Sequence, residues 1–266
     1  MKPDSLSNAQ IATLIAVRNG LPQACCVLIG AAALGCHLEM TWRKTADLDL
    51  TILADQHDVF AALSALGWTR DLRREHCWRS KAGIRVDVLP VDRAALQAGR
   101  IEFDESKMVM SVVGFDLLLA HVERLWLDET TSIDVACLKT IAVLKMTSWL
   151  DRPGERDRDL ADLAAILEDY LRADDPRRWE SPLLELALEF EVQSAWALGR
   201  DVCDMATVKH LEVIERFIAV VCDEDRPAFA AFSRHFSPPN REESLRRKLE
   251  AFELGLRWNA PQLTSP

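Results

Sequence analysis

A chain of 266 residues, 49% apolar and 28% charged, has the composition of a globular protein of one or two domains, which excludes disordered and collagen-like classes. Its 42 acidic against 32 basic residues leave a net charge of -10, so the whole molecule repels polyanions and is no general nucleic-acid binder, although local basic patches stay open. The seven cysteines, at 25, 26, 36, 77, 137, 203 and 222, contain no C-x-x-C pair and in odd number read as reduced thiols, while the polar start and the lack of about 18 consecutive apolar residues point to a soluble cytoplasmic protein.

In chain order, Ile11, Leu14, Ile15 and Val17 recur at helical spacing over Asn8 to Arg18, and Asn19-Gly20-Leu21-Pro22 supplies the stop. Cys25 to Ile29 is a short apolar run ending at Gly30, followed by the alanine-rich Ala31 to Met40: strand, glycine turn, helix. Ala46 to Leu53 sets Asp47, Asp49 and Thr51 against Leu48, Leu50 and Ile52, the period of two of a strand with one polar and one buried face. His57 to Leu66 predicts a helix; Trp68 to Arg74, Cys77 to Ser80 and Gly83 to Leu89 predict strands separated by polar turns. From Phe115 the period becomes helical, over 115–126, 133–150, 157–172, 180–198, 205–222 and 241–257, broken at Pro153, Pro176, Pro182, Pro227 and Pro238-Pro239. The expected class is α+β: a mixed sheet with flanking helices over 1–112, a helical domain over 113–258 and a tail over 259–266.

Asp47 and Asp49, two positions apart on a strand, project from one face with Cα atoms about 6 to 7 Å apart, a spacing that lets one Mg²⁺ sit between two carboxylates. Asp87, in the alternating Arg85-Val86-Asp87-Val88-Leu89, is the candidate third ligand from a neighbouring strand. Gly30 ends a strand and opens a helix, where backbone N–H groups and the helix dipole attract phosphate. Taken singly, Gly30 also reads as an ordinary turn and Asp-x-Asp as a solvated strand face.

In this order the residues resemble a known family. Val27-Leu28-Ile29-Gly30-Ala31-Ala32-Ala33-Leu34, His37, and Arg43-Lys44-Thr45-Ala46-Asp47-Leu48-Asp49-Leu50 are similar to the glycine motif, Arg-x-Thr and Asp-Leu-Asp strand of nucleotidyltransferases of the AbiEii/AbiGii toxin type, a branch of the DNA polymerase beta-like superfamily. Leu144-Lys145-Met146, Asp151-Arg152-Pro153 and Arg158-Asp159-Leu160-Ala161-Asp162-Leu163 resemble the same family's lysine helix and downstream acidic motif. The resemblance implies a nucleotidyltransferase domain, placed over 1–112, with Mg²⁺ or Mn²⁺ held by Asp47 and Asp49, to which the strand pattern adds Asp87, a nucleoside triphosphate at Gly30, Ala31, Arg43, Thr45 and Lys145, and Asp159 or Asp162 in the same site. It also implies a toxin role in which an RNA end or a protein hydroxyl is the acceptor and a cognate antitoxin intervenes; a small-molecule acceptor is the second enzyme reading, and the lack of a long apolar run argues for no membrane. Ala31 departs from the family's second small Gly or Ser, and the interval from Gly30 to Asp47 exceeds the generic superfamily spacing.

Without the resemblance, Lys145 reads as a lysine snorkelling at a helix edge, Asp157, Asp159 and Asp162 as acids complementing a helix N-terminus, and His37 as a packed core histidine. Arg70, Arg73, Arg74, Arg79, Lys81 and Arg85, interleaved with Trp68, His76 and Trp78, fit either an RNA-binding face with stacking aromatics or a solvated hairpin. A reading from another class is a non-catalytic nucleotide-binding module of the same fold.

Overall fold

The computed structural model describes residues 5–41 and 45–258. Two compact units divide the chain, Met1–Ile141 and Ala142–Pro266. In the first, α1 (Asn8–Gly20) starts at Ser7, whose hydroxyl accepts the Gln10 N–H while the Gln10 side chain returns to the Ser7 N–H, a reciprocal cap. There follow β1 (Cys25–Ile29), α2 (Gly30–His37), β2 (Leu48–Leu53), α3 (Gln56–Ala65), β3 (Thr69–Arg70), β4 (Cys77–Arg79), β5 (Arg85–Pro90), α4 (Arg93–Ala98), β6 (Arg100–Glu102), β7 (Val109–Ser111), β8 (Val122–Trp126) and β9 (Ser132–Ala136).

Seven of these strands form one mixed sheet in the order β3-β4-β5-β2-β1-β9-β8, and β6 pairs with β7 as a separate hairpin. β1 runs antiparallel to β2 and parallel to β9, and β2 runs parallel to β5. Leu28, Leu48, Leu50, Ile52, Val86, Val88 and Val135 have no solvent exposure, so the apolar phase of each strand lies in the core. The tilted contact of Phe60 with Trp78, centroids 5.4 Å apart, packs α3 on that sheet.

The helix expected over 115–126 is replaced by a short 3-10 turn at Phe115–Leu119 and by β8, and the one expected over 133–150 begins only after β9. Apolar residues at 117, 118, 122 and 125 satisfy a helical period, but Val122–Trp126 buries Leu125 between exposed neighbours as a strand does. Asp128 then accepts the N–H groups of Thr130 and Thr131 at 2.8 and 2.6 Å, which closes the turn into β9. These two strands carry the sheet past residue 112, the expected end of the first domain, and the compact unit ends at Ile141. The short elements α4, β6 and β7 had no counterpart in the sequence reading.

The remaining helices are α5 (Leu138–Asp151), α6 (Asp157–Asp169), α7 (Leu183–Leu186), α8 (Phe190–Cys203), α9 (Val208–Val221), α10 (Pro227–Ser233) and α11 (Arg241–Arg257). The helix expected over 180–198 is thus two, split before Phe190. α8 and α11 touch backbone to backbone: a Cβ added at Gly199 would lie 2.1 Å from the Phe252 carbonyl oxygen, and one at Gly255 2.1 Å from that of Trp196. Because a backbone cannot step aside as a side chain can, Gly199→Ala is expected to destabilise by about 1–3 kcal/mol. A lowered denaturant midpoint at unchanged slope is the expected readout, and an unchanged midpoint would mean that the helices do not meet so closely.

Candidate active site

The carboxylate site grows from three neighbouring strands. β1 is an interior strand whose antiparallel register sets Ile29 opposite Asp49. At the next residue the chain turns into α2 through Gly30, at φ +66°, and a Cβ there would stand 2.2 Å from Asp49 Oδ2 and 2.8 Å from its Cγ. Glycine is therefore demanded twice, by the left-handed backbone and by the space the Asp49 carboxylate occupies. The buried Ala31, Ala32 and Ala33 hold the first turn of α2 close in, and no side chain caps that turn.

β2 begins at Leu48, so Asp47 stands in a bend just ahead of the strand, where the Thr45 hydroxyl donates to its carbonyl at 3.3 Å. The parallel register of β2 with β5 pairs Asp49 with Asp87. Directly paired residues project to the same face with backbones about 5 Å apart, so Asp87 lies beside Asp49. Arg43 lies outside the described residues.

Arg85 ties this cluster together. Its Nε and Nη2 donate to Asp87 Oδ1 and Oδ2 at 3.2 and 2.7 Å, and its Nη1 lies 3.6 Å from Asp47 Oδ2. Partial burial opposes its charge, but the bonds and charges of Asp87, with Asp47 further off, outweigh this and raise its pKa. Burial and the Asp87 carboxylate push the Cys77 thiol up to about 12. His76, Cys77 and Asp87 each bring one ligand atom within 4.8 Å of the others, the one such group among the described residues.

The basic stretch around Arg85 does not form a stacking face. Trp68 and Trp78 are buried, Arg70 pairs with Glu105 at 2.7 Å, and Arg79 donates to the Gly83 carbonyl at 2.9 Å. The aromatics belong to the core, and the hairpin alternative describes this segment. The Arg85-x-Asp87 pair was legible as a same-face spacing on a strand, but counting Arg85 among the basic residues hid it.

In the second unit, Lys145 on α5 is 8% exposed and its Nζ donates to Asp159 Oδ1 at 2.6 Å and pairs with Asp162 Oδ2 at 2.8 Å, both acids standing on α6. Residues matched at a distance in the sequence thus form one buried triad, not a lysine snorkelling to solvent. Burial opposes the lysine's charge, yet the two carboxylates outweigh it and raise its pKa above the ordinary 10.5. A group raised in the folded state stabilises fully below its unfolded value and loses that contribution as pH climbs through the folded one. The triad should therefore weaken only at strongly alkaline pH. Lys145→Met, which strands two buried carboxylates, is expected to cost about 3–5 kcal/mol in denaturant unfolding at neutral pH; a cost under about 1 kcal/mol would show that the triad is not a closed charge cluster.

Asp157 opens α6 but is taken by Arg234, and by His235 at 3.4 Å, in keeping with a structural acid. His37 packs at the end of α2 with Nε2 2.8 Å from the Ala136 carbonyl oxygen, and burial lowers its pKa, as suits a core histidine. No helix among the described residues is long and apolar enough to cross a membrane.

The family described as "Nucleotidyl transferase AbiEii toxin, Type IV TA system" matches residues 16–251. No curated protein matches the chain. Among solved structures, an antigenic nucleotidyltransferase-like protein from Paracoccidioides brasiliensis is 17% identical over 68% of this chain and 87% of its own, with a TM-score of 0.43. JHP933 from Helicobacter pylori is 15% identical over 97% of this chain and 96% of its own, with a TM-score of 0.38. A CCA-adding enzyme in complex with ATP is 13% identical over 98% of this chain and 72% of its own, with a TM-score of 0.33.

Proposed function

The chain belongs to the AbiEii nucleotidyl transferase family, and from that premise we propose that it is a metal-dependent enzyme that moves a nucleoside monophosphate from a triphosphate to an acceptor and releases pyrophosphate. The observation that carries the reading is Gly30: its missing Cβ leaves the Asp49 carboxylate its place at the mouth of a helix, with Asp87 in register beside it. Hard oxygen donors on adjacent strands fit Mg²⁺ or Mn²⁺, and Asp47, Asp49 and Asp87 are the residues that would hold it. Such an ion, when bound, offsets charge on the triphosphate and activates the attacking oxygen.

The chain's own contribution is placement. Gly30 and Ala31 present backbone without bulk where a phosphate oxygen approaches, and the dipole of α2 favours negative charge there. Thr45 fixes the bend that carries Asp47. Lys145, which Asp159 and Asp162 hold charged, is given a part in the reaction on the family pattern alone. The acceptor is an RNA end, a protein hydroxyl or a small molecule, and the family name supports a toxin countered by a cognate antitoxin.

Incubation with each labelled triphosphate, Mg²⁺ or Mn²⁺, total RNA and lysate tests this reading: label is expected in one acceptor pool with pyrophosphate released in step. The pool that takes the label identifies the acceptor. Silence with every triphosphate and pool would overturn the reading in favour of a non-catalytic nucleotide-binding module.

A further inference from the structure

Arg85 pairs with two of the three proposed metal ligands at once, and its position is more than incidental. It shares a strand face with Asp87, two residues on, and gives its fork to both oxygens of that carboxylate while Nη1 reaches toward Asp47. Its Nη2 also lies 3.7 Å from Cys77 Sγ, and the side chain is 34% exposed. A charge-assisted fork of this kind is among the stronger polar contacts a protein makes, and arginine does not lose its charge at any ordinary pH.

Two consequences follow for a divalent ion arriving at Asp47, Asp49 and Asp87. Both Asp87 oxygens already accept from the guanidinium, and a positive charge stands within ion-pair distance of two of the three ligands. The ion therefore binds beside a fixed positive charge that already shares the Asp87 carboxylate, and the repulsion weakens its hold until the guanidinium is drawn away. A displaced guanidinium needs a new anion, and the planar fork that suits a carboxylate suits phosphate equally. We infer that Arg85 is a resident counter-ion of Asp87 and Asp47 that keeps divalent-metal affinity low until a nucleoside triphosphate takes the guanidinium, so that metal and nucleotide load cooperatively. This rests on the metal-dependent reading above and makes Arg85 a positioning residue for it.

The test is Mn²⁺ titration of the full chain, followed by loss of the free-ion magnetic resonance signal, with and without a non-hydrolysable triphosphate. The analogue is expected to tighten Mn²⁺ binding by wild type about tenfold, and Arg85→Gln to bind about tenfold tighter than wild type without nucleotide and gain little from it. Arg85→Lys, which keeps the charge and loses the fork, is expected to fall between them and covers the case in which Arg85→Gln fails to fold. Equal Mn²⁺ affinity in wild type and Arg85→Gln, with binding abolished by Asp49→Asn, would overturn the role of Arg85 and leave the metal site standing. No Mn²⁺ binding by any of the proteins, with or without nucleotide, would overturn the metal-dependent reading together with it.

Discussion

Asp49→Asn is expected to reduce nucleotidyl transfer by about a thousandfold or more while leaving the fold intact. The amide keeps the shape of the carboxylate and removes a full charge from the place where the ion and the triphosphate charge must be held, an electrostatic contribution that nothing nearby replaces. The fold should hold, because the amide fills the same space as the carboxylate at a position fixed by strand pairing. Asp47→Asn should act in the same direction, since Arg85 reaches Asp47 and Asp87 alike. Pyrophosphate release and the metal-dependent thermal shift are the paired measurements. Wild-type turnover in both variants would sink the assignment of these carboxylates, whatever the family of the chain.

The residues that carry this prediction were open to sequence reading because their geometry is local. Leu48, Asp49 and Leu50 declare their faces by alternation, although Asp47 falls in the bend ahead of the strand; Gly30 declares a turn, and Arg85-Val86-Asp87 declares a second alternating strand, with no long-range information needed for any of them. Two pairings were beyond that reach. That Asp87 lies opposite Asp49 depends on a parallel β2–β5 pairing across some forty residues of chain, and that Lys145 closes a triad with Asp159 and Asp162 depends on how α5 meets α6. The strands β8 and β9 went unread for a different reason. Their apolar residues satisfy helical and strand periods together over five residues, and what decides between these is the parallel partner β1, supplied from a hundred residues earlier. Trp68 and Trp78 were ambiguous in the same way, since an aromatic between arginines reads alike whether it faces solvent or the sheet interior.

Gly30→Ala is expected to damage activity more than stability, and the reason lies in what must move. The left-handed backbone at Gly30 costs alanine about 1–2 kcal/mol. The added Cβ then falls 2.2 Å from Asp49 Oδ2 and 3.0 Å from Asp49 Cβ, distances at which one of the two groups has to shift. The end of the Asp49 side chain is the movable group, because Ile29 and Asp49 are locked by strand pairing. Relief therefore comes by pushing the carboxylate off the β1 side of β2 and out of its place, and a misplacement of about 1 Å at a reacting centre costs on the order of a hundredfold in rate. Gly83 separates strain from displacement. It also has a left-handed backbone, φ +80°, but nothing lies within 4 Å of a Cβ built there, so Gly83→Ala bears the backbone cost alone and should lose similar stability with transfer retained. Full transfer and undiminished Mn²⁺ binding in Gly30→Ala would show that the Asp49 carboxylate is not held where the reaction needs it.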